Sequence, residues 1–241
     1  SATGLTELYI GGIGPTTGEY SNYGTSVKNG AMLAVSEINA NGGVNGFKFV
    51  LNFQDSQGDP QSAVSAYGKQ MDDGMKVSLG ATFSGETASV VAAAKADKIL
   101  LLTPSASSVS AIADNDCAFR VCFSDPSQGT ASAKYIKDNS LATKVAVIYD
   151  SGNDYCKGLY DTFDAECKKL GIKIVTVQTF TESTNTDFSA QISAIKNSGA
   201  DLIFMPIYAA DAAKILTQAA QTKAFDGMVC FGCDGLDGLL T

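Results

Sequence analysis

The strongest constraint on this chain is an ordered alternation of short apolar runs with longer amphipathic stretches, carried through its first half and then repeated in its second. In the first half the runs fall at 8–13, 47–53, 77–79 and 99–102, and the stretches between them repeat apolar residues at helical spacing. That pattern predicts a parallel sheet covered by helices, because each crossover helix buries its apolar stripe on the strands it connects. The first helix carries Val27, Ala31, Ala34, Val35 and Ile38 on one face and stops at Asn41-Gly42-Gly43, where glycine accepts the left-handed cap. Pro60 opens the second, in which Val64, Tyr67 and Met71 recur up to Gly74, and a third spans about 87–97.

In the second half, runs at 144–149, 173–179, 202–205 and 228–231 alternate with three more helices. Their apolar faces hold Leu159, Phe163, Cys167 and Leu170 before Gly171, then Phe188, Ile192 and Ile195 before Gly199, then Ile215, Leu216 and Ala219. A chain of 241 residues can bury two separate cores. The expected fold is therefore α/β, with two Rossmann-like lobes: residues 1–120 form the N-terminal lobe and 121–241 the C-terminal one. The crossover falls around 118–125, a strand-like stretch ending in Asp125-Pro126-Ser127, followed by a helix over 128–137.

Composition removes whole classes of function. The chain has no histidine, which excludes a Ser-His-Asp triad, a Cys-His pair and a histidine-ligated metal. A net charge of −8 with scattered lysines argues against a nucleic-acid or anionic-membrane surface. No apolar run approaches the ~20 residues of a membrane span. Gly12-Ile13-Gly14 with Gly18 imitates a dinucleotide fingerprint, but the spacing is wrong and Pro15 removes an N–H where the pyrophosphate would sit. Ser84 and Ser105 lie in loops with no lysine at a convincing spacing, and a serine without a base is a poor nucleophile. These signals predict no catalysis, no cofactor and no metal.

The six cysteines are too sparse for a disulfide scaffold and leave the redox compartment open. Cys230 and Cys233 form a Cys-x-x-Cys, readable as a redox pair or half a zinc site, but a cysteine that finishes a strand is expected in the core. Cys156 and Cys167 lie too far apart along one helix for a mutual disulfide and are expected to pack as small hydrophobes. Cys117 and Cys122 can bridge only if the chain turns between them, and the sequence does not decide it.

Open parallel sheets bind ligands beyond the carboxyl ends of their strands, where loops and helix N-termini converge. In the first half those loops are rich in hydroxyls and glycines: residues 14–23, 80–87 and 103–107. In the second half the equivalent loops hold aromatics and a carboxylate, at 150–155, 206–208 and 233–235. Hydroxyls and free N–H groups suit a carboxylate, an acid such as Asp234 suits an ammonium, and tyrosine rings exclude water from both. The division fits a zwitterion held between two lobes. Tyr20, Phe83 and Ile207 are the expected pocket walls.

Several runs also carry a family likeness: Gly14-Pro15 through Tyr23-Gly24, Asn29-Gly30-Ala31, Asn41 through Gly46, Asp55-Ser56-Gln57-Gly58-Asp59-Pro60, Thr103-Pro104-Ser105-Ala106 and Phe123-Ser124-Asp125. In order along the chain they resemble the periplasmic-binding-protein type I family, most closely the branched-chain amino-acid (Leu/Ile/Val) substrate-binding proteins of ABC importers. The resemblance implies an extracytoplasmic solute receptor, periplasmic or a cell-surface lipoprotein, that closes around an amino acid and delivers it to an ABC transporter permease. The same fold also serves as a ligand-sensing domain of receptors or small-amide regulators. Carried over by position, the resemblance implies ligand contacts from Tyr23, Ser84, Ser105, Ala106 and Ser107 in the first lobe, and from Asp125, Tyr155, Tyr208 and Asp234 in the second. Two positions depart from the family pattern: Ser107 stands where threonine is usual, and Asp234 where a longer glutamate is common. Family members also return to the first lobe after this region, so the sequence looks truncated. A first lobe of four strands with an open sheet edge is then expected to need a compensating contact.

Overall fold

Both strand-helix series fold as separate parallel sheets. The computed structural model describes residues 6–113 and 115–239, and the chain divides into two compact units, Ser1–Phe123 and Ser124–Thr241.

Unit 1 runs β1 (Thr6–Gly14), α1 (Ser21–Ala40), β2 (Phe47–Asp55), α2 (Pro60–Asp72), β3 (Val77–Ser78), α3 (Ser84–Ala93), β4 (Leu100–Thr103) and β5 (Ala118–Arg120). Its sheet order is β2-β1-β3-β4-β5 with every neighbour parallel. The strand-like stretch read as the crossover pairs with β4 in the register Leu101↔Ala118, so this unit has five strands and not the four expected. Ala118 is buried there, and the pairing satisfies the outer backbone edge of β4. Asp59 starts α2 by accepting the Ser62 N–H at 2.7 Å, with Pro60 in the first turn. α3 begins three residues earlier than periodicity suggested, because the Glu86 carboxylate reaches back to the Phe83 N–H (3.1 Å) and caps it there. Ile13, Ala63, Tyr67, Val90, Val91 and Leu101 form the core of this unit.

α1 is less deeply packed than its pattern suggested. Val27, Ala31, Val35 and Ile38 are half-buried, and Ala34, expected on the same face, is exposed. Its one buried residue is Gly24. A Cβ at that position would lie 2.0 Å from the Pro15 carbonyl oxygen, so glycine is what lets the first turn of the helix rest on the loop after β1.

Unit 2 runs α4 (Asp125–Asp138), β6 (Lys144–Asp150), α5 (Asp154–Leu170), β7 (Lys173–Phe180), α6 (Ser189–Lys196), β8 (Leu202–Met205), α7 (Ala209–Gln221) and β9 (Val229–Gly232). Its strands are parallel in the order β7-β6-β8-β9. Val145, Ile148, Leu159, Phe163, Leu202 and Phe204 are fully buried, and the Phe163 and Phe204 rings stack at 3.8 Å. Asn153 caps α5 by accepting the N–H groups of Tyr155 (3.1 Å) and Cys156 (3.2 Å), and Gly171 ends it at φ 71°.

Cys156 and Cys167 lie in this core. Cys230 does not: the core position expected for it is overturned, because β9 is the edge strand and Val229 and Cys230 on it are exposed. Cys117 and Cys122 are half-buried, and Cys117, Cys156, Cys167, Cys230 and Cys233 carry free thiols. Cys233, at the end of β9, has its thiol pushed up to about 12 by burial and by the nearby Asp234 charge.

Candidate functional site

Unit 1 gathers its polar loops at the carboxyl ends of β1, β3 and β4. Ser84 is the first residue of α3, so the N–H groups of that turn project from the helix end toward whatever lies beyond it. The loop after β4 is stitched to it: the Ser108 N–H donates to Ser84 Oγ (3.2 Å), and Ser105 Oγ donates to the Thr82 carbonyl (2.6 Å). Thr103 Oγ1 donates to the Ala81 carbonyl (2.9 Å) while accepting the Ala106 N–H (3.2 Å). Ser84, Ala106 and Ser107 are buried and Ser105 is half-buried.

These bonds separate the two serines chemically. Ser84 accepts through its oxygen, so its own proton remains to donate, as an anion requires. The Ser105 proton is committed to Thr82, so that hydroxyl offers lone pairs, as a cation requires. Tyr23 joins the same cluster through Phe83, their rings 5.5 Å apart edge to face, and Tyr20 packs on Phe83 at 5.9 Å.

Beneath this cluster sits a buried acid that spacing did not single out. Glu86 accepts hydrogen bonds from Ser56 Oγ and from the Phe83 N–H, tying the loop after β2 to the start of α3. Burial raises its carboxyl above the ordinary range; the two hydrogen bonds pull the other way, and Asp59 and Asp55 push it up again.

Unit 2 brings three of its four expected residues together. Tyr155, in the first turn of α5, stacks on Tyr208 at the start of α7, with ring centres 5.0 Å apart and planes 20° from parallel. The Tyr155 hydroxyl donates to Asp234 Oδ1 (2.7 Å) and accepts the Gly235 N–H (2.8 Å). Burial, and then the Asp234 charge, push the Tyr155 phenol far above its usual range, so it remains a donor. Gln128 of α4 completes the arrangement, its Nε2 donating to Asp234 Oδ1 (2.7 Å) and its Oε1 accepting the Asp234 N–H (3.1 Å). Nothing local in the sequence marks Gln128, since its partner lies 106 residues away.

The fourth expected residue is Asp125. It is buried at the start of α4 with its carboxylate against α5, where a Cβ at Gly158 would lie 2.7 Å from Oδ2. Ile207 is fully buried. Among the described residues no group of three or more Cys, Asp and Glu side chains is placed to hold a metal ion, and no helix is long and apolar enough to cross a membrane. The two sets have complementary chemistry: hydroxyl and N–H donors at a helix N-terminus in unit 1, and an exposed carboxylate framed by stacked phenols in unit 2.

Comparison with known proteins places the chain in a family. The family model described as periplasmic binding protein matches residues 7–240. The chain is 36% identical over 206 residues to Leu/Ile/Val-binding protein homolog 3 of Brucella melitensis, covering 85% of this chain and 55% of that protein. It is 34% identical over 231 residues to the Leu/Ile/Val-binding protein BraC3 of Rhizobium johnstonii, covering 95% and 62%. Among solved structures, the branched-chain amino-acid transporter substrate-binding protein LivJ of Streptococcus pneumoniae, in complex with isoleucine, superposes with a TM-score of 0.85 at 30% identity, covering 94% of this chain and 64% of that one. The leucine-binding protein LivK of Thermotoga maritima gives a TM-score of 0.88 at 28% identity, covering 95% and 64%. The chain thus spans between 55% and 64% of the length of these relatives. Its paired parallel-sheet units have the fold of type I periplasmic binding proteins, and the chain belongs to the periplasmic binding protein family.

Proposed function

We propose that this chain is the ligand-handling part of a solute receptor for an ABC importer, working outside the cytoplasm and binding a small amino acid, branched-chain or similar, without transforming it. The lobes are assigned as 1–120 and 121–241. In this reading Ser84, Ser107 and the N-terminal end of α3 take the α-carboxylate, while Asp234 and the lone pairs of Ser105 take the ammonium. Ala106 contributes backbone, Tyr23, Tyr155 and Tyr208 shield the charges from water, and Asp125 adds a buried acid at the start of α4. The permease of the importer is the expected partner, with delivery from the periplasm or from a cell-surface lipoprotein.

The observation that carries the reading is the Tyr208–Tyr155–Asp234–Gln128 arrangement. Its carboxylate is held by two donors but stays exposed, as a group that must meet a cation from outside requires. Relatives named for leucine, isoleucine and valine binding support the ligand class. The test is titration calorimetry of the full chain with leucine, isoleucine, valine and a panel of polar and aromatic amino acids. One-to-one binding of an aliphatic amino acid is expected, weakened about tenfold or more by Asp234→Asn, which removes a charge-assisted contact. Silence across the panel from folded protein refutes the amino-acid assignment.

A further inference from the structure

The only arginine in the chain, Arg120, ends β5 and is half-buried. Its Nη1 lies 2.8 Å from the Ser108 carbonyl oxygen, 3.1 Å from that of Ser107 and 3.4 Å from that of Ala106. Successive carbonyls in extended chain alternate in direction. Here three in a row converge on one nitrogen, so the segment curls around the guanidinium. Its N–H groups are thereby turned elsewhere: that of Ala106 to Thr103 Oγ1 and that of Ser108 to Ser84 Oγ. Without a cation at their focus, the three carbonyl dipoles would point at one another with poor access to water.

From this geometry we infer that Arg120 is a positioning residue, a clamp that fixes the 106–108 segment in the conformation presenting Ser84 and Ser107 to a ligand. Its relevance to binding rests on the function proposed above; its hold on the loop does not. A lysine ammonium also carries three N–H donors on one nitrogen, but on a more flexible stem and as a more strongly hydrated charge, so it holds the three carbonyls less firmly than the guanidinium does. The clamp acts through backbone carbonyls, so it constrains the loop whatever side chains the loop carries.

The experiment compares wild type, Arg120→Ala and Arg120→Lys in the full chain. Amide hydrogen exchange is measured without ligand, and leucine, isoleucine and valine are titrated into each protein. In Arg120→Ala, exchange at Ala106 and Ser108 is expected to rise about tenfold or more while β6 and β8 are unchanged, the consequence of losing a charge-assisted bond. Affinity for the amino acid is expected to fall by a similar factor, and Arg120→Lys is expected to recover part of both. Unchanged exchange at 106–108, a uniform rise throughout unit 1, or a loosened loop with full affinity would each overturn the clamp. If wild type binds none of the three amino acids, the proposed function fails, and the exchange data alone decide whether Arg120 holds the loop.

Discussion

Replacing Tyr155 by phenylalanine removes one oxygen and isolates what that oxygen holds. The ring is retained and with it the stacking on Tyr208, so the loss is confined to the bond donated to Asp234 Oδ1 and the bond accepted from the Gly235 N–H. A hydrogen bond to a charged group contributes ~1.5–3 kcal/mol, but Asp234 is exposed and keeps Gln128, which discounts its share to about 1 kcal/mol. Gly235 is buried and its N–H loses this acceptor, at a cost of ~1–3 kcal/mol. The expected loss is about 2–4 kcal/mol. With a denaturant slope of ~1–2 kcal/mol per molar for a unit of this size, the urea midpoint of unit 2 should fall by more than about 1 M. Circular dichroism is the natural probe, since the chain contains no tryptophan, and exchange of the Gly235 amide gives a local check. A loss below ~0.5 kcal/mol, with Gly235 still protected, would show that the hydroxyl is not what satisfies this amide.

Two further perturbations test the packing and the buried acid. Gly129→Ala places a Cβ 2.1 Å from Thr162 Oγ1 and 2.9 Å from the Leu159 carbonyl oxygen, so α4 and α5 must separate. Overpacking of this kind costs ~1–3 kcal/mol, measurable as a lowered unfolding midpoint, and a neutral result would refute the close contact. Glu86→Gln should flatten part of the dependence of stability on pH. Because the folded carboxyl is raised above its ordinary 4.5, the stability it confers is complete below that value and is lost as pH rises through the folded value. The difference between wild type and variant should therefore move against wild type as pH rises above the ordinary value of 4.5, read in thermal unfolding. Parallel curves would place the Glu86 titration at its ordinary position.

Most of the fold was legible because periodicity reports which face of each element is buried, and burial is local to the element that supplies it. The short β3 and β4 were found from their apolar runs, and α5 from its stripe and its Gly171 stop. The place of β5 in the first sheet is not legible in the sequence, because a strand of three residues carries no period and is defined by the β4 edge it pairs with. Cys230 departs from its expected core position for a related reason: strand character can be read from sequence, but whether a strand lies at the centre or the edge of a sheet depends on what pairs with it. Ala34 failed likewise, since a stripe shows which face is apolar and not how much of it is covered.

The site divides along the same line. Topology locates the loops at the carboxyl ends of the parallel strands, and the family resemblance singles out Ser84, Ser105, Tyr155, Tyr208 and Asp234 within them as expected ligand contacts. Neither tells which of those groups donates and which accepts. That Ser84 keeps its proton free, that Gln128 grips Asp234 across 106 residues, and that Arg120 gathers three carbonyls are properties of hydrogen-bond directions. A hydrogen bond depends on angle and on tenths of an ångström, and chain order sets neither; only packing the elements against one another fixes them.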